Sequence, residues 1–295
     1  MQSLYDIPAP AKLNLFLHIT GRRADGYHLL QSAFMLIDWC DSLNFERRSD
    51  GIISREDLGW ALPADDLCVR AAKALQSATG CSQGVHIGLH KSVPAQAGMG
   101  GGSSDAASTL LALNRLWSLN LPLEPLMTLG LALGADIPFF LSGRHGWVEG
   151  IGEIITPIEL PSAQFVVVKP EAGLDTKLIF SDPELKRDSE TAIISGSAAN
   201  TLTFTGNELT FGQNDLQAVA QKLCPGVNQA LAWLATQGHS GRMTGSGSAV
   251  FAHLLHAVDL QNAPASMQAR LCRSLEVHPL CGWASSNGLS VASVR

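Results

Sequence analysis

Pro94-Ala-Gln-Ala-Gly-Met-Gly-Gly-Gly-Ser-Ser-Asp-Ala-Ala107 carries four glycines and two serines straight into a helix-forming run. Gly98, Gly100, Gly101 and Gly102 have no Cβ, so the backbone can turn into positive-φ conformations and let a polyphosphate approach its amides. Ser103 or Ser104 then caps a helix continued by Ala106, Ala107, Leu110, Leu111, Leu113 and Trp117, whose free N–H groups and positive dipole end face an anion. The stretch Pro94, Ala95, Gln96, Ala97, Gly98, Met99, Gly100, Gly101, Gly102, Ser103, Ser104 therefore reads as a cradle for a nucleoside triphosphate. A Walker-A loop is excluded, because it needs Lys and then Ser or Thr after its last glycine, and Gly102 is followed by Ser103. A Rossmann fingerprint needs a third spaced glycine and a later acid, and neither is in place. A flexible linker would not run into about four turns of amphipathic helix pattern behind a serine.

Working outward, 295 residues exceed one typical domain. We expect an N-terminal domain over 1–160 and a C-terminal domain over 161–295, divided just ahead of the buried-strand pattern Gln164-Phe-Val-Val-Val-Lys169. With 46% hydrophobic and 16% charged residues the chain is globular in composition, and its apolar runs fall short of the roughly 18 residues that span a bilayer. Met-Gln-Ser-Leu-Tyr-Asp has neither the basic start nor the apolar stretch of a secretion signal, so a cytoplasmic location is expected. Six cysteines without a C-x-x-C pair read as free thiols. A net charge of −6 leaves no footprint for nucleic acid and favours a small-molecule partner.

Lys12 to Ile19 alternates, with Leu13, Leu15, Leu17 and Ile19 on one face and Lys12, Asn14, Phe16 and His18 on the other. Ala33 to Phe45 is strand-like. Leu67 to Thr79 reads as a helix closed by Gly80, and Val85 to His90 as a strand leading to the cradle. A helix from near Pro125 stops at Gly134. The Ser, Thr, Asn and Gly-rich segment 181–213 reads as a long surface excursion. Asn214-Asp215 opens a helix pattern, Pro225 divides it from a second, and a further helix is expected over about Leu260 to Leu275. Gly80-Cys-Ser-Gln-Gly84 matches a hydrolase nucleophile elbow in letters, but a helix precedes it and a strand follows, the reverse of what that turn requires. His253-x-x-His256 lacks the accompanying ligands of a zinc site.

Three separated elements coincide in type: Pro10-Ala-Lys-Leu-Asn-Leu15, the glycine cradle, and Thr244-Gly-Ser-Gly-Ser-Ala-Val250. Together they resemble the GHMP kinase superfamily. Gly26-Tyr-His28 and Gly134-Ala-Asp-Ile-Pro-Phe139 extend the resemblance over nearly the whole chain outside 181–213. The set is similar to the branch that phosphorylates the 2-hydroxyl of a cytidine diphosphate derivative of methylerythritol in non-mevalonate isoprenoid biosynthesis. The neighbouring reading is a mevalonate-type or homoserine-type kinase, against which Tyr27-His28 stands. A non-catalytic nucleotide- or nucleic-acid-binding module is the reading from another class, and the pair Lys12 and Asp136 argues against it.

The resemblance implies an α+β, two-domain GHMP kinase fold. Its N-terminal domain binds ATP, its C-terminal domain is a ferredoxin-like α/β sandwich, and the active site lies in the cleft between them. It implies ATP and Mg²⁺ as cofactors, a monomer or homodimer, and no nucleic-acid or membrane partner. Lys12 and Asp136 are the implied catalytic pair. Asp66 and Lys91 fall on the nucleotide side with the cradle, and Ser103 or Ser104 is the implied Mg²⁺ ligand. Asn14, Tyr27, His28, Phe180, Thr244 and Gly245 fall on the substrate side, Tyr27 and Phe180 sandwiching a base that His28 hydrogen-bonds. Two departures stand out: Met99 where the family usually has Leu, a volume-conserving change, and Asp65-Asp66 where Asn is expected before Leu67.

Overall fold

The computed structural model describes residues 1–59, 61–192, 202–203, 209 and 211–285. Two long strands organise the first half: β1 (Ser3–Arg22) and β2 (His28–Arg48) pair antiparallel along their length. β2 also carries β4 (Gly84–His90) at one end and β5 (Gly146–Glu149) at the other. β3 (Ile53–Asp57) flanks β4, and β6 (Ile154–Glu159) with β8 (Leu202–Thr203) completes a seven-stranded sheet. Helices α1 (Leu67–Thr79), α2 (Gly101–Leu116), α3 (Leu123–Leu133) and α4 (Ile137–Ser142) join this sheet in one core, with Leu43, Phe45 and Ile87 against Leu75, Leu110, Leu113 and Phe139.

The second half folds around a sheet ordered β11-β7-β10-β9, all antiparallel: β7 (Gln164–Pro170), β9 (Arg242–Met243), β10 (Val250–His253) and β11 (Met267–Arg273). In chain order this is 4-1-3-2, the ferredoxin-like arrangement. Helices α6 (Gln217–Leu223) and α7 (Pro225–Thr236) pack on it, and the short α5 (Thr176–Ser181) precedes them. The period-two pattern of β7 decides how the halves join. Phe165 and Val167 enter a core shared with Leu13, Leu15, Met35, Ile37 and Trp39 of β1 and β2, while Val166 and Val168 face α6 and α7. Burying each such side chain contributes roughly 1.5–3 kcal/mol, so the two sheets are held by a continuous apolar layer rather than by a hinge.

Three expectations need correction. The expected Leu260 to Leu275 helix is a short 3-10 turn at Leu260–Asn262 followed by β11. Pro264 cannot continue a helix, and seven residue pairs with β7 outweigh local propensity. The strict alternation of β1 breaks at a register shift between Asn14 and Leu17, so Phe16 is buried with Leu13 and Leu15. α2 is buried nearly all round rather than amphipathic. The excursion is fastened at its start, where Ser189 N–H donates to Ile19 O at 2.9 Å and Ala192 N–H to Gln31 Oε1 at 2.8 Å. Most of the remainder up to residue 210 lies outside the described residues, as does the tail beyond 285. The described cysteines are unpaired, and no described helix is long and apolar enough to cross a membrane.

Candidate active site

The cradle closes around two left-handed glycines, Gly98 at φ 71° and Gly100 at φ 70°. A Cβ on Gly98 would lie 2.1 Å from Thr244 O, and one on Gly100 would meet Phe140 at 2.9 Å and Lys12 Cε at 3.4 Å. α2 starts at Gly101 with Gly100 as N-cap and no side-chain cap. The serines are therefore in the first turn and do not cap it, contrary to expectation, and the helix start is left with free N–H groups. The loop leads into a cleft of about 800 Å³ lined by the cradle, by Leu62, Asp66 and Arg70 from around α1, and by Lys177, Ser246 and Gly247 from the second half. The two glycine-rich loops are pinned to each other, Ser248 N–H donating to Gln96 O at 3.0 Å and Ala249 N–H to Ala97 O at 3.2 Å.

Lys12 sits beside this loop, its backbone N–H donating to Met99 O at 3.0 Å. Its side chain is buried, with Nζ donating to Asn14 Oδ1, lying 4.2 Å over the Phe34 ring and 3.7 Å from Asp136 Oδ2. Burial pushes the Lys12 ammonium below its ordinary pKa, and the Asp136 charge pulls it back up. Asn14 is oriented in turn: Nδ2 donates to Ser32 Oγ at 3.0 Å, which leaves Oδ1 as the acceptor for Lys12. Asp136 precedes α4, yet its side chain makes no capping hydrogen bond and stays one-third exposed. A carboxylate that is not spent on its own helix is available for chemistry. Ile137 takes the first helical position, and the turn in which Ile137 N–H donates to Gly134 O at 3.2 Å holds Asp136 at the helix start.

Lys91 lines the cleft, but its ammonium is already engaged by two buried carboxylates, Asp41 and, at 2.6 Å, Asp105. Burial alone would lower the Lys91 pKa; Asp105 and Asp41 hold it above its ordinary value. Asp41 Oδ1 also accepts from Ser92 N–H at 2.5 Å and Val93 N–H at 2.8 Å. The triad thus staples the entry of the cradle to the first turn of α2, and Lys91 is a floor rather than a free phosphate ligand. Asp66 likewise lines the cleft while capping α1 through Val69 N–H at 3.1 Å and pairing with Arg55 Nη1 at 2.6 Å. Ser103 lines the cleft; Ser104 Oγ is buried with no partner. Among the described residues no cluster of acids, histidines and cysteines could hold a metal ion by itself.

A second cavity of about 570 Å³ adjoins the first, the two sharing Thr176 and Lys177. It brings together Tyr27, His28 and Phe180. Tyr27 is 60% exposed, so its ring is free to cover a ligand, and the His28 and Phe180 rings lie 5.0 Å apart at 31°. Thr244 and Gly245 are not on this cavity. Thr244 is fully buried, accepting from Asn14 N–H at 2.9 Å, and Gly245 packs on Gly98 behind the cradle. Asn214, read from the sequence as opening a helix, does two jobs: Oδ1 accepts from Leu216 N–H at 2.9 Å at the start of α6, and Nδ2 donates at 2.8 Å to both Met243 O and Gly245 O, which ties down the second glycine loop. Asp215 lies just ahead of α6 and not in its first turn, and its Oδ2 accepts from Ile19 N–H at 2.7 Å and Ser189 Oγ at 2.6 Å.

The model of the GHMP kinases N terminal domain matches residues 66–144, and that of the GHMP kinases C terminal matches residues 199–277. A protein of Albidiferax ferrireducens named 4-diphosphocytidyl-2-C-methyl-D-erythritol kinase is 69% identical, covering 99% of this chain and 100% of its own length. Its namesake from Acidovorax sp. (strain JS42) is 65% identical over 96% of this chain and 99% of its own. A solved 4-(cytidine 5'-diphospho)-2C-methyl-D-erythritol kinase superposes with a TM-score of 0.76 at 31% identity, covering 92% of this chain and 98% of that one. The mevalonate kinase of Methanococcus jannaschii shares the fold at a TM-score of 0.64 and 15% identity, over 92% and 98% of the two chains.

Proposed function

The chain belongs to the GHMP kinases, among the 4-diphosphocytidyl-2-C-methyl-D-erythritol kinases, and from that premise we propose how its residues move a phosphoryl group from ATP to the 2-hydroxyl of 4-diphosphocytidyl-2-C-methyl-D-erythritol. The carrying observation is that Lys12 Nζ lies 3.7 Å from Asp136 Oδ2, directly beside Gly100 at the open start of α2. ATP lies in the larger cleft, its phosphates on the free amides of Gly101, Gly102 and Ser103. The cytidine lies in the smaller cavity against Tyr27, His28 and Phe180. The hydroxyl to be phosphorylated meets the γ-phosphoryl group between them, in front of Lys12 and Asp136.

Asp136 accepts the hydroxyl proton as the oxygen bonds to the γ-phosphorus and the bond to the β-phosphate oxygen breaks, releasing ADP. Lys12 orients the hydroxyl and offsets charge on the transferring group. Phosphoryl transfer has a loose transition state, so placing a buried cation counts for at least as much as removing the proton. Mg²⁺ would neutralise charge between the β- and γ-phosphates. Ser103, which lines the cleft, would help to hold it. We place the domain boundary at 160/161, between β6 and β7, and the enzyme in the cytoplasm. Every group invoked belongs to one chain, which a monomer or a homodimer satisfies.

Phosphorus NMR of a reaction with ATP and the cytidine compound tests the proposal. A new phosphomonoester on the 2-hydroxyl, lost in Asp136→Asn, is expected. ATP hydrolysis without that product would contradict it.

A further inference from the structure

Arg187 belongs to none of the motifs and does not itself line the base pocket, yet it is bonded to two residues that do, His28 and Phe180. Nη1 donates to Leu185 O at 2.9 Å, and Nη2 donates to Phe180 O at 3.1 Å and Asp182 O at 2.8 Å. Three carbonyls, with no carboxylate, hold the planar fork in one orientation. Its Nε then points at His28 Nε2, 3.0 Å away. A guanidinium donates and never accepts, so His28 Nε2 must present its lone pair, and the ring proton of neutral His28 resides on Nδ1. No described residue hydrogen-bonds that Nδ1, and His28 lines the base cavity. The ring is braced on its face by Phe180, the residue whose carbonyl holds Arg187.

We propose that Arg187 is a positioning residue for substrate recognition. It locks His28 in the Nδ1–H tautomer, so that the pocket offers a hydrogen-bond donor to the acceptor edge of the pyrimidine in the cytidine diphosphate substrate, an inference that rests on the substrate assignment above. The charges around His28 agree with a neutral ring. Burial, then Arg187, then Arg22 on the paired strand β1 all lower its pKa, and Arg22, Asp25 and Lys177 are the charged groups lining the cavity.

Arg187→Met frees the ring to carry its proton on Nε2 and so removes the donor. KM for the cytidine substrate should rise about 3- to 10-fold at pH 8, the value of one neutral hydrogen bond, with KM for ATP unchanged. In that variant KM should fall again toward pH 6, because an imidazolium carries both N–H groups; the parent enzyme should show no such dependence. In a His28→Asn background Arg187→Met should add less than twofold, since the group it orients is gone. Nitrogen NMR of His28 in the parent enzyme decides the matter even if the variant does not fold. A proton on Nδ1 is expected, and one on Nε2 overturns the proposal. An equal rise in both KM values, marking a merely structural residue, overturns it too. Titration with CDP separates the levels: a parent enzyme that does not bind CDP overturns the substrate assignment and this inference with it. Equal CDP affinity with and without Arg187 overturns this inference alone.

Discussion

Lys12 must stay cationic where water barely reaches it, and its surroundings explain how: the Asn14 carbonyl, the Phe34 ring face and the Asp136 carboxylate replace the lost hydration. Lys12→Met keeps the volume and removes the charge. It should lower kcat by roughly 10²–10³, the usual effect of deleting one preorganised electrostatic contact, and calorimetry should find ATP affinity little changed. Asp136→Asn keeps the shape and removes the base. Single-turnover rates should fall by roughly 10²–10⁴, and a rate within threefold of the parent would remove Asp136 from the chemistry. Tyr27→Ala should raise KM for the cytidine substrate about tenfold, since stacking on a base contributes roughly 1–3 kcal/mol, with less effect on ATP. Lys12 and Asn14 were legible because a strand puts alternate residues on one face. Ser32, which fixes the Asn14 amide, and Arg187, which fixes His28, were not: each acts through a contact across 18 and 159 residues of chain respectively, and no local pattern encodes such a distance.

Among the elements, the cradle is the one that local sequence specified most directly, because positive φ and the absence of Cβ are properties of glycine itself. Which partner forbids a Cβ was not legible. At Gly98 it is the carbonyl of Thr244, from the other half of the molecule. Gly98→Ala therefore strains both glycine loops together. It should cost about 1–3 kcal/mol in stability and raise KM for ATP more than tenfold while CDP binding persists; unchanged ATP kinetics would put the phosphates elsewhere. Lys91 is less direct, lining the cleft as expected but already paired. A lysine beside a phosphate loop invites a direct role, whereas Asp41 and Asp105 already consume its charge. Lys91→Met should leave two buried carboxylates uncompensated and destabilise the fold by about 3–5 kcal/mol. Asp105→Asn should be milder, because burial already pushes that carboxyl well above its ordinary range. Thermal melts would decide: a Lys91→Met protein as stable as the parent, failing only in ATP binding, would restore the direct role. The Leu260 to Leu275 helix failed at this same scale, where pairing with β7 overruled local preference.

Across the whole molecule, the two sheets share one apolar layer, and the two cavities share Thr176 and Lys177. Burial lowers His145 and His278 to about 4 from an ordinary 6.5, which makes the fold acid-sensitive. Below pH 6.5 the unfolded chain binds protons that the folded chain refuses. Stability is therefore lost as pH falls from about 6.5 to 4, by roughly 3 kcal/mol apiece at the lower limit. Urea midpoints at pH 7 and pH 4.5 should show a smaller acid loss in His278→Asn than in the parent; equal losses would contradict the burial account. The central claim concerns substrate, and the fold alone does not decide it, since mevalonate and homoserine kinases share this architecture at 14–15% identity. On our proposal the cavity beside Tyr27, His28 and Phe180 takes the base, and binding energy spent there would help to orient the reacting hydroxyl. The most direct test is ADP release with ATP and a panel of alcohols, compared by kcat/KM. We predict that 4-diphosphocytidyl-2-C-methyl-D-erythritol is the best substrate, with methylerythritol phosphate lacking the nucleotide far poorer. Mevalonate or homoserine turned over more efficiently than the cytidine compound would contradict the account.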